Sequence, residues 1–238
     1  MAGVLMVINP AAAQSIGNGD TSAIPASWLA SSVLVAGLLT VLVASGLKMI
    51  NWKTAFSWDK EQMQTAWLPL LAAIAGIFTI TVLEEQLQLE DTLQNEFAGM
   101  MHSTIGILSI SVFAPIIEEL CFREGIMGGM LRRGVKPWTA IIVSAVIFGL
   151  IHGNPVQIFG AGLMGIIFGI IYYKSGNIVL TSLLHVLNNS LATLLAITLG
   201  MDATLTDVMG SQTVVIVSGI ISGIFCIAMF VRYWKYGK

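Results

Sequence analysis

Seven apolar runs, near residues 25–47, 65–83, 98–117, 137–153, 156–174, 177–199 and 213–231, dominate this chain of 238 residues. A helix needs about 20 apolar residues to cross the hydrocarbon core of a bilayer. Lipid tolerates only structures whose backbone groups bond among themselves. The runs therefore predict an all-α fold, a polytopic bundle of transmembrane helices. Residues 118–131 read as an inner extension of the third run, giving one long tilted helix and seven spans. A break at Pro115 would raise the count to eight. The runs at 137–153 and 156–174 are short or closely joined. Composition agrees, with 10% of residues charged where a soluble domain has about 25%.

Charge then sets orientation. With seven spans, Lys48, Lys53, Lys60, Arg132, Arg133, Lys136, Lys174, Arg232, Lys235 and Lys238 fall on one face. Asp20, Glu84, Glu85, Glu90, Asp91, Glu96, Asp202 and Asp207 fall on the other, which has no Lys or Arg. The positive-inside rule makes the basic face cytoplasmic, with the N-terminus outside and the C-terminus in the cytoplasm. A net charge of −2 leaves no basic patch to hold phosphates, so no nucleic-acid partner is expected. The lipid bilayer is the expected surrounding. Cys121 and Cys226 lie in apolar segments without a pairing pattern and read as buried free thiols. The opening "MAGVLMVINPAAAQS" has no basic start and too short an apolar run for a signal peptide, so 1–24 reads as a tail.

Polar groups inside the runs carry the chemistry. A carboxylate within the bilayer costs at least ~2.5 kcal/mol, so such a group faces protein or water and is read first as functional. In "APIIEELCFREGIMGGML", residues 114–131, Glu119 and Arg123 are four apart and share a helix face in the favourable order. Glu118 points about 100° away (3.6 residues per turn) and has no local cation, which leaves it the freer proton acceptor. Glu124, Arg132 and Arg133 read as a charged helix end at the inner interface. His152 lies late in the fourth run, in "FGLIHGN". His185 and Asn189, four apart in "LLHVLNNS", share a face of the sixth. Asn188 lies off that face and reads as packing. His102 has no polar partner nearby in sequence and is set aside.

Depth tests whether these groups meet. At 1.5 Å per residue, Glu118 lies about 21 Å above Arg132, and His152 about 24 Å above Lys136. His185 and Asn189 lie about 16 and 22 Å above Lys174 on the same measure. Three spans thus bring polar groups to one layer. There is no Ser-His-Asp order and no phosphate-binding glycine loop. A carboxylate, two imidazoles and an amide suit hydrolysis by an activated water. Glu118, helped by His152, would take the proton, and His185 and Asn189 would face the oxyanion. The alternative is a divalent metal, zinc for example, on Glu118, His152 and His185. The residues alone leave both open.

The motifs Glu118-Glu119-x-x-x-Arg123, Phe148-x-x-x-His152 and His185-x-x-x-Asn189, in that order, resemble those of the CPBP family. These are the CAAX-processing and bacteriocin-processing intramembrane proteases, also called Abi or type II CAAX prenyl endopeptidase-like proteins. The resemblance covers about residues 97–200. It implies a catalytic helical core over 97–200, flanked by N-terminal spans and an acidic loop over 25–96 and a last span and tail over 201–238. It implies catalytic roles for Glu118, His152, His185 and Asn189, with Glu119, Arg123 and Phe148 shaping the site, and a family variously described as metalloprotease or metal-free. A membrane-associated peptide or protein substrate and a bacterial plasma membrane follow from the same resemblance. Two other classes compete: a proton-coupled transporter, against which the chain shows no internal repeat, and a non-catalytic immunity or scaffold protein. Gly165-x-x-x-Gly169 and Gly219-x-x-x-Gly223 read first as seams for packing within the chain, and second as faces for a homo-oligomer.

Overall fold

The computed structural model describes residues 25–236, so the tail 1–24, with its signal-like run and Asp20, lies outside the described residues. The elements are α1 (Ala26–Gly46), α2 (Trp52–Ala55), α3 (Lys60–Thr65), α4 (Trp67–Leu87), α5 (Gln94–Met101), α6 (Thr104–Arg132), α7 (Pro137–Leu150), α8 (Pro155–Ser175), α9 (Val179–Leu199), α10 (Leu205–Met209) and α11 (Gln212–Tyr236). No strand occurs among the described residues. Among the described residues six helices, α1, α4, α6, α8, α9 and α11, are long and apolar enough to cross a membrane. The chain is an integral, multi-pass helical membrane protein. The fourth run forms a helix of only 14 residues, about 21 Å long and short of a full crossing.

Local chemistry sets the ends. Pro137 and Pro155 begin α7 and α8, where a missing N–H costs nothing. Gly176, at φ +69°, ends α8 in a left-handed turn and donates its N–H to the Tyr172 carbonyl at 2.8 Å. Two boundaries differ from the sequence reading. The second run continues as helix to Leu87, so Glu84 and Glu85 belong to α4 rather than to an acidic loop. Glu85 there accepts the N–H groups of Leu205 at 2.7 Å and Thr206 at 3.2 Å, which fastens α10 to α4. The third span begins at Thr104 because the Ser103 hydroxyl accepts the Gly106 N–H at 3.1 Å and caps a new helix.

Pro115 does not break α6, which runs unbroken for 29 residues. Residues 109–113 and 120–127 adopt the wider π turn, leaving Ala114–Glu119 as an α segment between them. Proline crowds the carbonyl four residues before it. Here that carbonyl, of Ser111, lies inside the first π segment, whose looser turn relieves the crowding.

Contacts between connections sort the ends into two sets. Arg132 donates to the Met49 carbonyl, Ile178 N–H to that of Ala55 at 2.9 Å, and Lys174 to that of Trp234 at 3.1 Å. At the other end Asn154 donates to Asp91 at 2.8 Å and Gln94 to Asp202 at 2.7 Å. The basic connections therefore share one end and the acidic connections the other.

The small-residue seams pack within the chain. A Cβ on Gly165 would lie 2.9 Å from Ala145 of α7, and one on Gly169 3.0 Å from Ile141. A Cβ on Gly219 of α11 would lie 2.8 Å from Val82 of α4. Gly165→Leu should therefore force α8 off α7, at about 1–3 kcal/mol for overpacking. Thermal unfolding in detergent should show a clearly lowered midpoint, and an unchanged one would contradict this packing. Leu38, Leu39 and Leu42 on α1 and Ile220, Ile221 and Ile224 on α11 stay exposed, as a lipid-facing surface requires.

Glu124 corrects the sequence reading. It is fully buried, not interfacial. Its carboxylate accepts from Arg132 at 2.7 Å, the Tyr172 hydroxyl at 2.6 Å and the Asn51 N–H at 3.1 Å. Two turns separate Glu124 from the helix end, and Arg132 folds back over them to reach it. The cluster ties the α1–α2 connection to α6 and α8.

Candidate active site

The bracketed α segment of α6 holds Glu118 and Glu119, and the two π segments orient the helices around it. A π turn leaves carbonyls free of the regular ladder, and neighbouring side chains occupy them. Asn189 of α9 donates to the Ile110 carbonyl at 3.0 Å, and Ser190 to that of Ser111 at 3.5 Å. Ser144 of α7 donates to the Phe122 carbonyl at 3.0 Å. Sequence reasoning missed these anchors, since nothing in "SISVF" or "LCFREGIM" announces a change of helical period.

Glu119 and Arg123 form the predicted pair, with Arg123 Nε 3.2 Å from Glu119 Oε2 and both side chains fully buried. The guanidinium lies over the Phe148 ring at 4.6 Å from its centroid and near Phe168 at 5.6 Å. Its Nη1 and Nη2 have no protein hydrogen-bond partner, so the ring faces and Glu119 carry its stabilisation. Glu119 Oε1 also faces His185 Nδ1 at 3.1 Å. A carboxylate only accepts, so Nδ1 carries the proton and Nε2 of His185 is turned the other way. It faces Glu118 Oε2 at 3.6 Å, too long for a direct bond. Glu118 is 24% exposed, while Glu119 is sealed.

His152 lies two residues past the end of α7, in the turn closed by Gly153 at φ +64°, not late in the span as expected. Its Nδ1 donates to the Phe148 carbonyl at 2.7 Å, which leaves the Nε2 lone pair available. Its ring meets Phe148 edge-on at 5.0 Å, and Phe148 meets His185 edge-on at 5.8 Å. Contacts thus join Glu118, Glu119, Arg123, Phe148, His152 and His185 across α6, α7 and α9. Asn189 sits a turn further along α9; it bonds to Ile110, and its carbonyl oxygen accepts from Asn188 at 3.0 Å. Phe168 of α8, under both Arg123 and His185, was not foreseen, because an aromatic residue among apolar ones gives no signal. His102 is exposed.

The comparisons with known proteins point the same way. Residues 100–191 match the family model of type II CAAX prenyl endopeptidase Rce1-like proteins. The Rce1-like segment contains all seven motif residues. Over 84 residues the chain is 29% identical to the "Putative membrane peptidase YdiL" of Bacillus subtilis, covering 35% of this chain and 34% of YdiL. Over 149 residues it is 23% identical to "UPF0177 protein YxdF" of Lactococcus lactis, covering 58% of this chain and 82% of YxdF. The chain thus spans about a third of YdiL. No solved structure gives a significant match. The Rce1-like match supports protease activity in general terms.

The donors suit a metal in orientation but not in spacing. Both histidines have Nδ1 anchored and Nε2 free, an orientation that metal-bound histidines share. In spacing they do not fit: among the described residues no three His, Cys, Asp or Glu side chains converge as a ligand set.

Proposed function

We propose that this protein is an intramembrane endopeptidase that hydrolyses a peptide bond of a membrane-associated peptide or protein with water activated by Glu118. The observation that supports it is the asymmetry of the carboxylate pair. Glu119 is held by Arg123 and His185, while Glu118 is partly exposed, makes no direct hydrogen bond and faces His185 Nε2 at 3.6 Å.

Glu118 takes the proton of the attacking water, and the Nε2 lone pair of His152 shares that duty. The oxygen attacks the scissile carbonyl, and negative charge moves to the carbonyl oxygen. His185, its Nδ1–H fixed by Glu119, turns Nε2 toward this oxyanion and in its protonated form donates to it. The second amide hydrogen of Asn189, not used on Ile110, adds a further donor. The oxyanion then collapses back to a carbonyl as the C–N bond breaks, and the proton taken by Glu118 passes to the leaving amine nitrogen. No step uses a metal, and chelation is expected to leave the rate unchanged. By the positive-inside rule the basic end faces the cytoplasm, and the two named relatives suggest a bacterial plasma membrane.

The test is cleavage of a peptide library by purified protein in vesicles. The intact protein should cut some members, and His152→Ala should cut them about 100-fold more slowly at unchanged thermal midpoint. Equal rates for the two proteins would refute the role given to His152, and no cleavage at all would refute the reading.

A further inference from the structure

Between α1 and α6 lies a cleft of about 390 Å³. Its walls include Val33, Gly37 and Thr40 of α1 and Ile117 and Cys121 of α6, and its one charged lining residue is Glu118. The rim residues Val33, Val43, Leu47 and Ile151 are exposed. α1 is fastened at both ends. Its outer end packs through Ala30 on Met100 and Ile110. Its inner end packs through Ala44, and the connection beyond it packs through Ile50 and bonds to Glu124 and Arg132. Midway, Gly37 touches Ile117, next to Glu118. α1 also lies outside the Rce1-like segment 100–191.

We infer that this cleft is the substrate-binding site, that its occupant is an uncharged apolar peptide segment, and that the segment arrives from the bilayer between α1 and α6. The inference rests on the endopeptidase reading, since it is the segment carrying the scissile bond that must reach Glu118. Walls without a second charge or any basic group reject charged side chains, whose desolvation would go unmatched. An apolar segment leaves lipid for an equally apolar wall without that penalty, and its carbonyl meets the one polar region of the cleft. α1, outside the Rce1-like core, then sets which apolar side chains fit.

A reversible lock tests this. A Cβ at Gly37 would lie 3.8 Å from Cβ of Ile117, the usual disulfide separation of ~3.8 Å. Gly37→Cys and Ile117→Cys are placed in a Cys121→Ser, Cys226→Ser background, which removes the native thiols. The Ile117 atoms that would crowd the new side chain leave with the substitution. The probe is a synthetic leucine–alanine helix of about 20 residues with one central benzophenone, in phospholipid vesicles. Photolabelling of α1 or α6 should occur in the reduced protein, fall about ten-fold or more on oxidation, and return with reductant. Thr40→Phe, which fills the cleft without a disulfide, should lower labelling in the same way and decides the matter where the lock does not form. Equal labelling in the open, locked and filled proteins overturns the proposal. So does labelling by a diazirine fatty acid that the helix fails to displace, which would make the occupant a lipid chain. Photolabelling needs no hydrolysis, so gated labelling without cleavage would sink the endopeptidase reading alone. Cleavage of embedded peptides by the locked protein would sink this inference alone.

Discussion

Glu118→Gln is expected to leave the protein folded and to slow peptide hydrolysis by about 10²–10⁴-fold, the usual contribution of a positioned general base. The substitution keeps the side chain's shape and removes only its ability to accept a proton. It breaks no bond that the fold uses. The nearest imidazole nitrogen, His185 Nε2, is 3.6 Å away, beyond hydrogen-bond reach, and Glu118 is partly exposed. The thermal midpoint should therefore stay within a degree or two of the parent, at about 2–4 °C per kcal/mol for a chain of this size. The contrast is Glu119→Gln, which alters a sealed ion pair and the anchor of His185 together, and should lower both stability and rate. Single-turnover rates with one susceptible peptide, measured beside thermal unfolding, separate the two. Hydrolysis by Glu118→Gln at near the parent rate would remove Glu118 from the chemistry.

Arg123→Ala is expected to have the largest effect on stability. It strips the countercharge from a fully buried carboxylate, and breaking such a pair costs about 3–5 kcal/mol. It also empties the space between Phe148 and Phe168, which the guanidinium fills. A midpoint lower by roughly 10 °C or more follows from the same scale. Arg123→Lys should not rescue it, because an ammonium cannot spread over two ring faces as the planar guanidinium does. The double change Glu119→Gln with Arg123→Met should recover part of the loss, since no unpaired charge is then left buried. A double variant as unstable as Arg123→Ala would mean that packing, not charge, governs this position.

Much of this arrangement was legible in the chain. The apolar runs located the spans because lipid penalises any other backbone arrangement. Glu119 and Arg123 were paired by helical spacing, and rise per residue brought His152 and His185 to the layer of Glu118. What stayed hidden depends on partners far away in sequence. Glu124 looked interfacial because its bonds to Asn51 and Tyr172 span 73 and 48 positions. The π turns left no mark, because Ser, Ile, Val and Phe serve either helical period. His152 was placed inside a helix that in fact ends two residues earlier, at a glycine turn whose geometry the apolar pattern does not encode. Asn189 makes its first bond to a backbone carbonyl that only the π turn exposes.

The pairing within α6 bears on how the chain is made. As the ribosome delivers this helix to the translocon, each mid-span charge opposes insertion by about 2.5–3.5 kcal/mol. α8 and α9, which later surround it, have not yet been synthesised. Yet Glu119 already has Arg123 one turn away, and Glu124 has Arg132 two turns away on the same helix. Four of the five charges thus enter the bilayer as two self-contained neutral pairs. Glu118 alone has no cation on its own helix, and the histidine that comes to face it arrives only with α9, so the carboxylate assigned to the chemistry is also the last to be sheltered during biogenesis.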